Sequence, residues 1–545
     1  MTQFDQRYEV LEEGIVRFTA CTVEPGADGE PVCGWDEVVV NTGPPTVTLT
    51  APLPGAQLDA TADTVIAVTG TVTDTFGEPV AFLNGAPLEL AEDGSFSTTV
   101  EPRFGVNHIE VAASDGSHRD TGEANADVHW APGFQAPQDP PVDFADALVL
   151  RLGQRFVDDR QRVSTQPDGT YLTQDLADVL ELVIRNIDLT AQIPDPVLDS
   201  TALFLRVTQV SLGKPLIQLD LTDTGMEIFV QVSDLQATTT GAMEIDDQQL
   251  SLDGTIGGSM SALVVLDVDK ADPMAPLSAT VSSLSVAVEN VTPNFQSAEV
   301  NAVFTLAQSV LRRTIEDLLL DVLQGSFVDQ LPTLITDVLS SLDSALANRT
   351  LDLDTGLGNP IQLTLDGGVG AVSSQWRHHL DAVLELTAAT DVSGVHPDSR
   401  GFPLLWPGAL EPAFFDDGRI QFGLRLAMIN ALLHALWDAG LLDVDVTDAV
   451  PVAVDGARIS AKLPPVVRPP LLGEPHDLVI ELGQIELDTE VLGRSDRYGI
   501  SLSAGVDFGL ANGALAITIA EQPRIDTWLI SKSDEQSFLT PQALQ

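Results

Sequence analysis

The side chains able to do chemistry are few and scattered. His378 and His379 are adjacent, and neighbours on a strand point to opposite faces, so the pair does not readily share one metal. His434 follows Asn430 by four residues on an apolar-rich stretch, the setting of a buried, hydrogen-bonded histidine rather than of a base or ligand. His396 sits in Gly394-Val-His-Pro-Asp398, a loop by composition. Asp267-Val-Asp-Lys-Ala-Asp272 lacks the glycine and glutamate of an EF-type loop, so calcium would be held there only loosely. No Gly-x-Ser-x-Gly, His-Glu-x-x-His or glycine-rich phosphate loop occurs. No catalytic residue, metal ligand or cofactor site follows, and the chain reads as a non-enzyme. The one remaining reactive pair is Cys21 and Cys33, the only cysteines, which bracket an acidic loop. Their closeness fits a disulfide stapling a hairpin or loop in an oxidising compartment; the alternative is a pair of reduced thiols.

The elements around these groups are mainly strands. Residues 1–43 carry β-type runs at 15–20 and 35–41, too few strands for an independent sandwich, and read as a partial immunoglobulin-like domain. Residues 44–131 hold short alternating runs at 46–50, 64–72, 80–83, 95–100, 108–112 and 125–129. Asn84-Gly85, Asp93-Gly94 and Asp115-Gly116 punctuate them, which predicts an antiparallel sandwich. A proline-rich linker spans 132–142. Beyond it, 144–160 and 172–187 show helical spacing, marked by Leu148, Leu152 and Phe156 in the first and by Leu172, Leu176, Val179, Leu180, Val183 and Ile187 in the second. Alternating runs between 202 and 288 predict strands of one strongly curved sheet. Apolar stripes at 303–323 and 327–346 predict long helices, and 424–440 predicts an amphipathic helix ended by Gly440. Further strands are expected at 350–365, 380–388 and 419–424 and through 452–519. The fold class is therefore mostly β with long helices (α+β).

Charge excludes some partners. The chain has 545 residues with 80 Asp+Glu against 26 Lys+Arg, a formal charge of −54, and its only lysines are Lys214, Lys270, Lys462 and Lys532. A phosphate backbone must be met by basic side chains, so nucleic acid is not an expected partner. A polybasic membrane patch is excluded on the same ground. No run of about 18 apolar residues is present, so no transmembrane segment is expected. With 44% hydrophobic residues the chain is too apolar for a disordered acidic tail. The start has no signal-peptide pattern, yet the composition looks exported. The expected location is extracellular, periplasmic or cell-surface, in a chain excerpted from a longer protein.

Two stretches resemble known families. The order Pro-x-Val-x-Leu-x-x-Pro, Gly-Thr-Val, Leu-Asn-Gly, Asp-Gly-Ser-Phe and Asn-x-Ile-x-Val-x-Ala-x-Asp within 44–131 resembles bacterial immunoglobulin-like modules of the glucodextranase B-domain type, which implies a spacer or adhesion role. Residues 143–545 resemble the tubular lipid-binding superfamily, specifically the bactericidal/permeability-increasing and lipid-transfer protein family. That resemblance rests chiefly on Ile429-Asn-Ala-Leu-Leu-His-Ala-Leu-Trp-Asp-Ala-Gly-Leu-Leu442, with Lys462-Leu-Pro-Pro465, the tract ending in Leu351-Asp-Leu353 and the helix near 301–323.

The second resemblance implies two barrel-like halves, each a curved antiparallel sheet wrapping a long amphipathic helix, joined by a central sheet. The first barrel and crossing helices would occupy 143–349. The second would occupy 350–545, truncated at its C-terminal end. It also implies acyl chains held in apolar tunnels. The candidate lipid-binding residues are then Leu148, Leu152 and Phe156, Phe304, Leu311, Ile315 and Leu319, and Leu426, Ile429, Leu433 and Trp437. Lipids or other amphipathic small molecules are the expected partners, with transient membrane contact through Phe402 and Trp406 if their loop is an exposed tip. The first 213 residues contain no lysine, which argues against the basic tip of the family's antibacterial members. The expected function is non-enzymatic lipid binding or transfer by a secreted or surface bacterial protein; the alternative is a structural or adhesive surface protein with dry barrels.

Overall fold

The computed structural model describes residues 14–22, 32–306 and 347–533, less 61–63, 117–120, 137–142, 187–189, 271–277, 354–359, 407–413, 415–418, 449–453, 512–513 and the single positions 42, 76, 246 and 521, together with a few helical positions between 309 and 336. Gly14–Thr22 and Val32–Val40 form an antiparallel hairpin in which Cys21 and Cys33 are directly opposed and joined by a disulfide. The bridge read from the sequence is therefore present, at the loop end of the ladder.

The next unit is a sandwich. Thr46–Ala51, Ile66–Thr73 and Ser95–Val100 make one sheet. Gln57–Asp59, Gly122–Ala131, Gly105–Ser114, Val80–Leu83 and Ala86–Leu88 make the other. Burial alternates along Ile66–Thr73 and Gly105–Ser114, so Ile66, Val68, Ile109 and Val111 meet Phe96 and Val128 in the core. The backbone approach is close at Gly70, where a Cβ would lie 2.2 Å from the Thr48 carbonyl oxygen and 2.5 Å from the Phe96 ring.

Three larger sheets follow, besides two small strand pairs, Ser164–Thr165 with Tyr171–Leu172 and Gly133–Gln135 with Phe402–Leu404. The first large sheet contains Leu203–Leu212, Pro215–Leu221, Gly225–Ile245, Gly254–Asp269 and Ser278–Phe295, with the short Leu198–Asp199 and Gln248–Ser251. Register shifts at Val207/Gln209, Val232/Leu235, Gly257/Ser259 and Val265/Leu266 curl it, since each bulge bends its strand and raises the local twist. The central sheet runs in the order Arg349–Leu353, Ile361–Gln375, His379–Thr390, Asp143–Gly153, Ile420–Leu424. The second large sheet contains Val444–Asp445, Gly456–Ala461, Val466–Arg468, Leu478–Val491, Arg494–Ala511, Ala514–Ile519 and Arg524–Lys532.

The expectation of long helices wrapped by sheets is overturned. Among the described residues there are four α-helices, all short: α1 (Gln154–Val157), α2 (Leu176–Arg185), α3 (Ala298–Leu306) and α4 (Leu426–Asp438). They pack on strands: α2 on Pro215–Leu221, α3 on Ser278–Phe295, α4 beside Val466–Arg468 and Phe402–Leu404. Most of 303–346, where the longest helices were expected, lies outside the described residues. The stretch 144–160 shows why spacing misled. Leu148, Leu152 and Phe156 recur every four residues, which suits a helix but is also twice the strand repeat. With Leu150 between the first two, the run Asp143–Gly153 is a strand, and only Gln154–Val157 turns helical. The helix expected at 172–187 is present only over Leu176–Arg185 as α2. Leu172 lies instead in a short strand, Tyr171–Leu172, paired with Ser164–Thr165, and Ile187 lies outside the described residues. The helix is begun by Asp175, whose carboxylate accepts from the Asp178 N–H at 2.8 Å.

Ile109→Ala removes a fully buried side chain from the sandwich core. The expected cost is about 2–5 kcal/mol, read as a lower urea midpoint for the unfolding of this module.

Candidate functional site

The central sheet has one apolar face that grades from core to solvent. Opposed residues share a face, so the registers give three rows: Val369, Leu384, Leu148 and Leu424; Val372, Ala382, Leu150 and Phe422; Ser374, Leu380, Leu152 and Ile420. Val369, Leu380, Ala382 and Leu384 are buried in the core shared with the first large sheet, and Leu148, Leu150 and Leu152 are half-buried against it. At the edge strand the same face opens, with Leu424 41%, Ile420 54% and Phe422 56% exposed. Two expected site residues, Leu148 and Leu152, therefore stand midway along the gradient, and Phe156 packs partly buried at the same core. Phe304 is buried against Phe295, ring centroids 4.8 Å apart. Leu311, Ile315 and Leu319 lie outside the described residues.

Helix α4 turns a polar stripe inward. Its buried side carries Asn430, His434 and Asp438, four residues apart, with Ala427, Ala431 and Trp437. Asn430 accepts from the Val467 N–H at 2.7 Å and donates to its carbonyl at 3.1 Å. His434 Nε2 is 2.8 Å from Ser399 Oγ, the Asp438 carboxylate accepts from the Gly394 and His396 N–H groups, and Trp437 Nε1 donates to Ala461 O at 2.8 Å. His396 stacks on Trp437 at 3.8 Å. His434 is thus the satisfied buried histidine its setting predicted. Of the expected lipid stripe on this helix, Trp437 is buried and hydrogen-bonded, whereas Leu426, Ile429 and Leu433 are half-buried. The 401–407 loop divides in the same way: Phe402 is buried against Phe144, and Trp406 is 56% exposed.

The sandwich module is docked on the second large sheet through buried polar groups. The bulge between Leu482 and Ile485 puts Gln484 in a left-handed conformation, φ 47°, and swings it into the module. Its N–H donates to the Asp127 carboxylate at 2.7 Å, and its side-chain oxygen accepts from the Asp127 N–H at 3.0 Å. Glu481 accepts from the Val106 N–H at 2.9 Å, Arg103 Nη1 at 2.6 Å and Arg468 Nε at 2.8 Å. Gly483 permits this approach, because a Cβ there would lie 2.5 Å from Val106 Cγ1. A second attachment joins Gly133–Gln135 to Phe402–Leu404 as an antiparallel pair, with Arg400 bound to Asp59 and to Gln57.

Three histidines titrate abnormally at this junction. Burial pushes His129 down to about 3, with the neighbouring His434 adding to the effect. Burial also lowers His434 to about 4, against the pull of Asp438. Burial disfavours the charged form of His108 as well, but the hydrogen bond and charge of Asp127 together with the charges of Asp526 and Glu110 outweigh it and raise the pKa above the ordinary histidine value. Neither ring nitrogen of His129 has a hydrogen-bond partner among the described residues, consistent with a neutral ring. Sequence reading missed Glu481 and Gln484. The available signal was polar residues at inward positions of the alternating run Leu478–Val491. Among the described residues no group of three or more His, Cys, Asp or Glu could hold a metal ion, and no helix is long and apolar enough to cross a membrane.

With this geometry in place, comparison with known proteins gives two kinds of likeness. Residues 45–126 match the family model described as glucodextranase, domain B, so the resemblance of the sandwich is shown. Among solved structures, the chain aligns with a crystal structure of lipopolysaccharide binding protein over 74% of this chain and 87% of that one, at 11% identity and a TM-score of 0.42. It aligns with P47 from Clostridium botulinum A2 over 72% and 83%, at 7% identity and a TM-score of 0.19. At such scores neither alignment carries an argument about function. No curated protein matches the chain.

The histidines set a pH dependence. His129 and His434 are held neutral in the fold but take up protons near pH 6.5 when unfolded. Their contribution is therefore intact above about pH 6.5 and is lost as pH falls toward about 4 and 3. His129→Phe is expected to flatten the stability–pH curve between pH 6.5 and 4 by up to about 1.4 kcal/mol per pH unit, the slope of one proton. Urea unfolding at stepped pH measures it, and unchanged slopes would show that the folded ring takes up its proton as readily as the unfolded one.

Proposed function

We propose that this chain is a non-enzymatic lipid-binding protein that works outside the cytoplasm, holding acyl chains along the apolar face of its central sheet with an immunoglobulin-like module fixed at its side. The observation that carries the reading is the open end of that face. Large apolar side chains on alternate positions of the edge strand, Ile420, Phe422 and Leu424, continue a buried core into solvent. Contiguous exposed apolar surface of this kind marks a binding site more often than chance exposure does. Each methylene buried there contributes about 0.8 kcal/mol, so ten give roughly 8 kcal/mol before ordering and desolvation costs. Leu148, Leu152 and Phe156 are the proposed contacts deeper along the face. Phe304 and the half-buried Leu426, Ile429 and Leu433 are proposed to extend the apolar surface, as are Leu311, Ile315, Leu319 and Trp437. No cofactor is proposed beyond the bound lipid. The disulfide and the glucodextranase-type module support an extracellular location. Shuttling between membranes, with Trp406 touching the bilayer, is the finer form of the proposal.

The test is native mass spectrometry of the purified chain with lipid extraction, followed by titration with a fluorescent fatty acid. Phe422→Glu is expected to weaken uptake at least tenfold while moving the melting temperature little, because the ring is already more than half exposed. Absence of co-purified lipid together with no uptake by the unmutated chain would sink the reading and leave a structural or adhesive role.

A further inference from the structure

Between the docked module and the second large sheet lies a cavity of about 250 Å3. Its floor is a polar row across three strands, Glu481 opposite Ser503 and Ser503 opposite Arg524, with Ser501 opposite Asp526 beside it. The module closes it with Arg103, Val106 and His108. The acceptors on this surface are already engaged. Glu481 takes Arg103 and Arg468, and Glu474 takes both terminal nitrogens of Arg468 at 2.7 and 2.9 Å, which holds its pKa down at about 2. Asp526 takes Arg524 Nε at 2.9 Å. Arg468 is itself buried, and its remaining bond goes to Pro469 O.

What remains open to a ligand, in place of water, is donor capacity. A guanidinium carries five N–H groups. Arg103 directs one terminal nitrogen at Glu481, and Arg524 directs only Nε at Asp526. The half-buried Ser501 and Ser503 make no side-chain hydrogen bond among the described residues. Two guanidinium edges and two hydroxyls on one small cavity call for a ligand rich in acceptors and compact in shape. Tetrahedral phosphate meets both conditions, since its oxygens accept paired N–H groups from arginine. We propose that this cavity binds a small molecule bearing a phosphate group, its oxygens taken by Arg103, Arg524, Ser501 and Ser503. The volume falls below the roughly 300–1,000 Å3 of drug-sized pockets, so the ligand is small or only its headgroup enters. The formal charge of −54 does not forbid this. Exposed charges beyond about 8 Å are screened at physiological salt, and the local donors act at contact.

A phosphate ester in solution and a phospholipid headgroup present the same chemistry, and the experiment separates them. The full chain is titrated by calorimetry in phosphate-free buffer with glycerol 3-phosphate, with glycerol as the uncharged control. Parallel flotation assays use phosphatidylglycerol and phosphatidylcholine vesicles. Saturable binding of glycerol 3-phosphate but not glycerol is expected, weakened at least tenfold in Arg524→Gln. That residue is 76% exposed at its side chain, so the fold is expected to survive, with the melting temperature as the check. Arg524-dependent binding of phosphatidylglycerol vesicles alone would assign the phosphate to a lipid headgroup. Binding unchanged in Arg524→Gln and in the Ser501→Ala/Ser503→Ala double variant would overturn the proposal, as would no binding of either phosphate source. Glycerol 3-phosphate has no acyl chain, so this result is read independently of fatty-acid uptake.

Discussion

A carboxylate can be buried only where donors surround it, and Glu481, 2% exposed, meets that condition with groups from both sides of a junction. Arg468 comes from its own sheet; Arg103 and the Val106 N–H come from the module. Neither side alone satisfies the charge, so separating them would strand it. The bulge that presents Gln484 to Asp127 repeats the arrangement further along the same strand, with two reciprocal backbone–side-chain bonds. The relative placement of module and sheet thus follows from hydrogen-bond completion together with the contact of His108 on Trp528 and the close approach of Val106 to Gly483, and the cavity beside Ser501 and Ser503 lies at that junction.

Helix α4 applies the same logic in the central region. Its inward stripe of Asn430, His434 and Asp438 ties it to Val467 and to the 394–399 loop. Polar anchoring of this kind leaves leucines outside the buried stripe. The adjoining edge strand likewise keeps Phe422 out of the core. The apolar surface of this region is therefore left over after the polar framework has been satisfied, a different origin from a tunnel carved between a sheet and a wrapped helix.

Local repetition was legible in the sequence. The sandwich strands Thr46–Ala51 and Ile66–Thr73 alternate, Cys21 and Cys33 are isolated from any other cysteine, and α2 and α4 carry apolar residues at helical spacing ended by a cap or a glycine. Reading failed where one spacing served two periods: Leu148, Leu152 and Phe156 fit both repeats, and the neighbours Val149 and Leu150 decided for a strand. It also failed on the junction, because Asp127 and Gln484, or Arg103 and Glu481, are far apart in the chain and gain meaning only when the fold brings them together. A stripe read on α4 from apolar residues alone selected Leu426, Ile429 and Leu433, while the buried stripe was set by polar groups whose partners lie on other elements.

The two attachments of the module differ in kind and position: a strand pair at Gly133–Gln135 and a bulge contact at Gln484. A body pinned at one point can swivel, whereas a body pinned at two separated points keeps its heading. The module therefore behaves as a bracket rather than a tether. A pull applied to it is divided between two joints, one on the second large sheet at Gln484 and the other on Phe402–Leu404 beside α4.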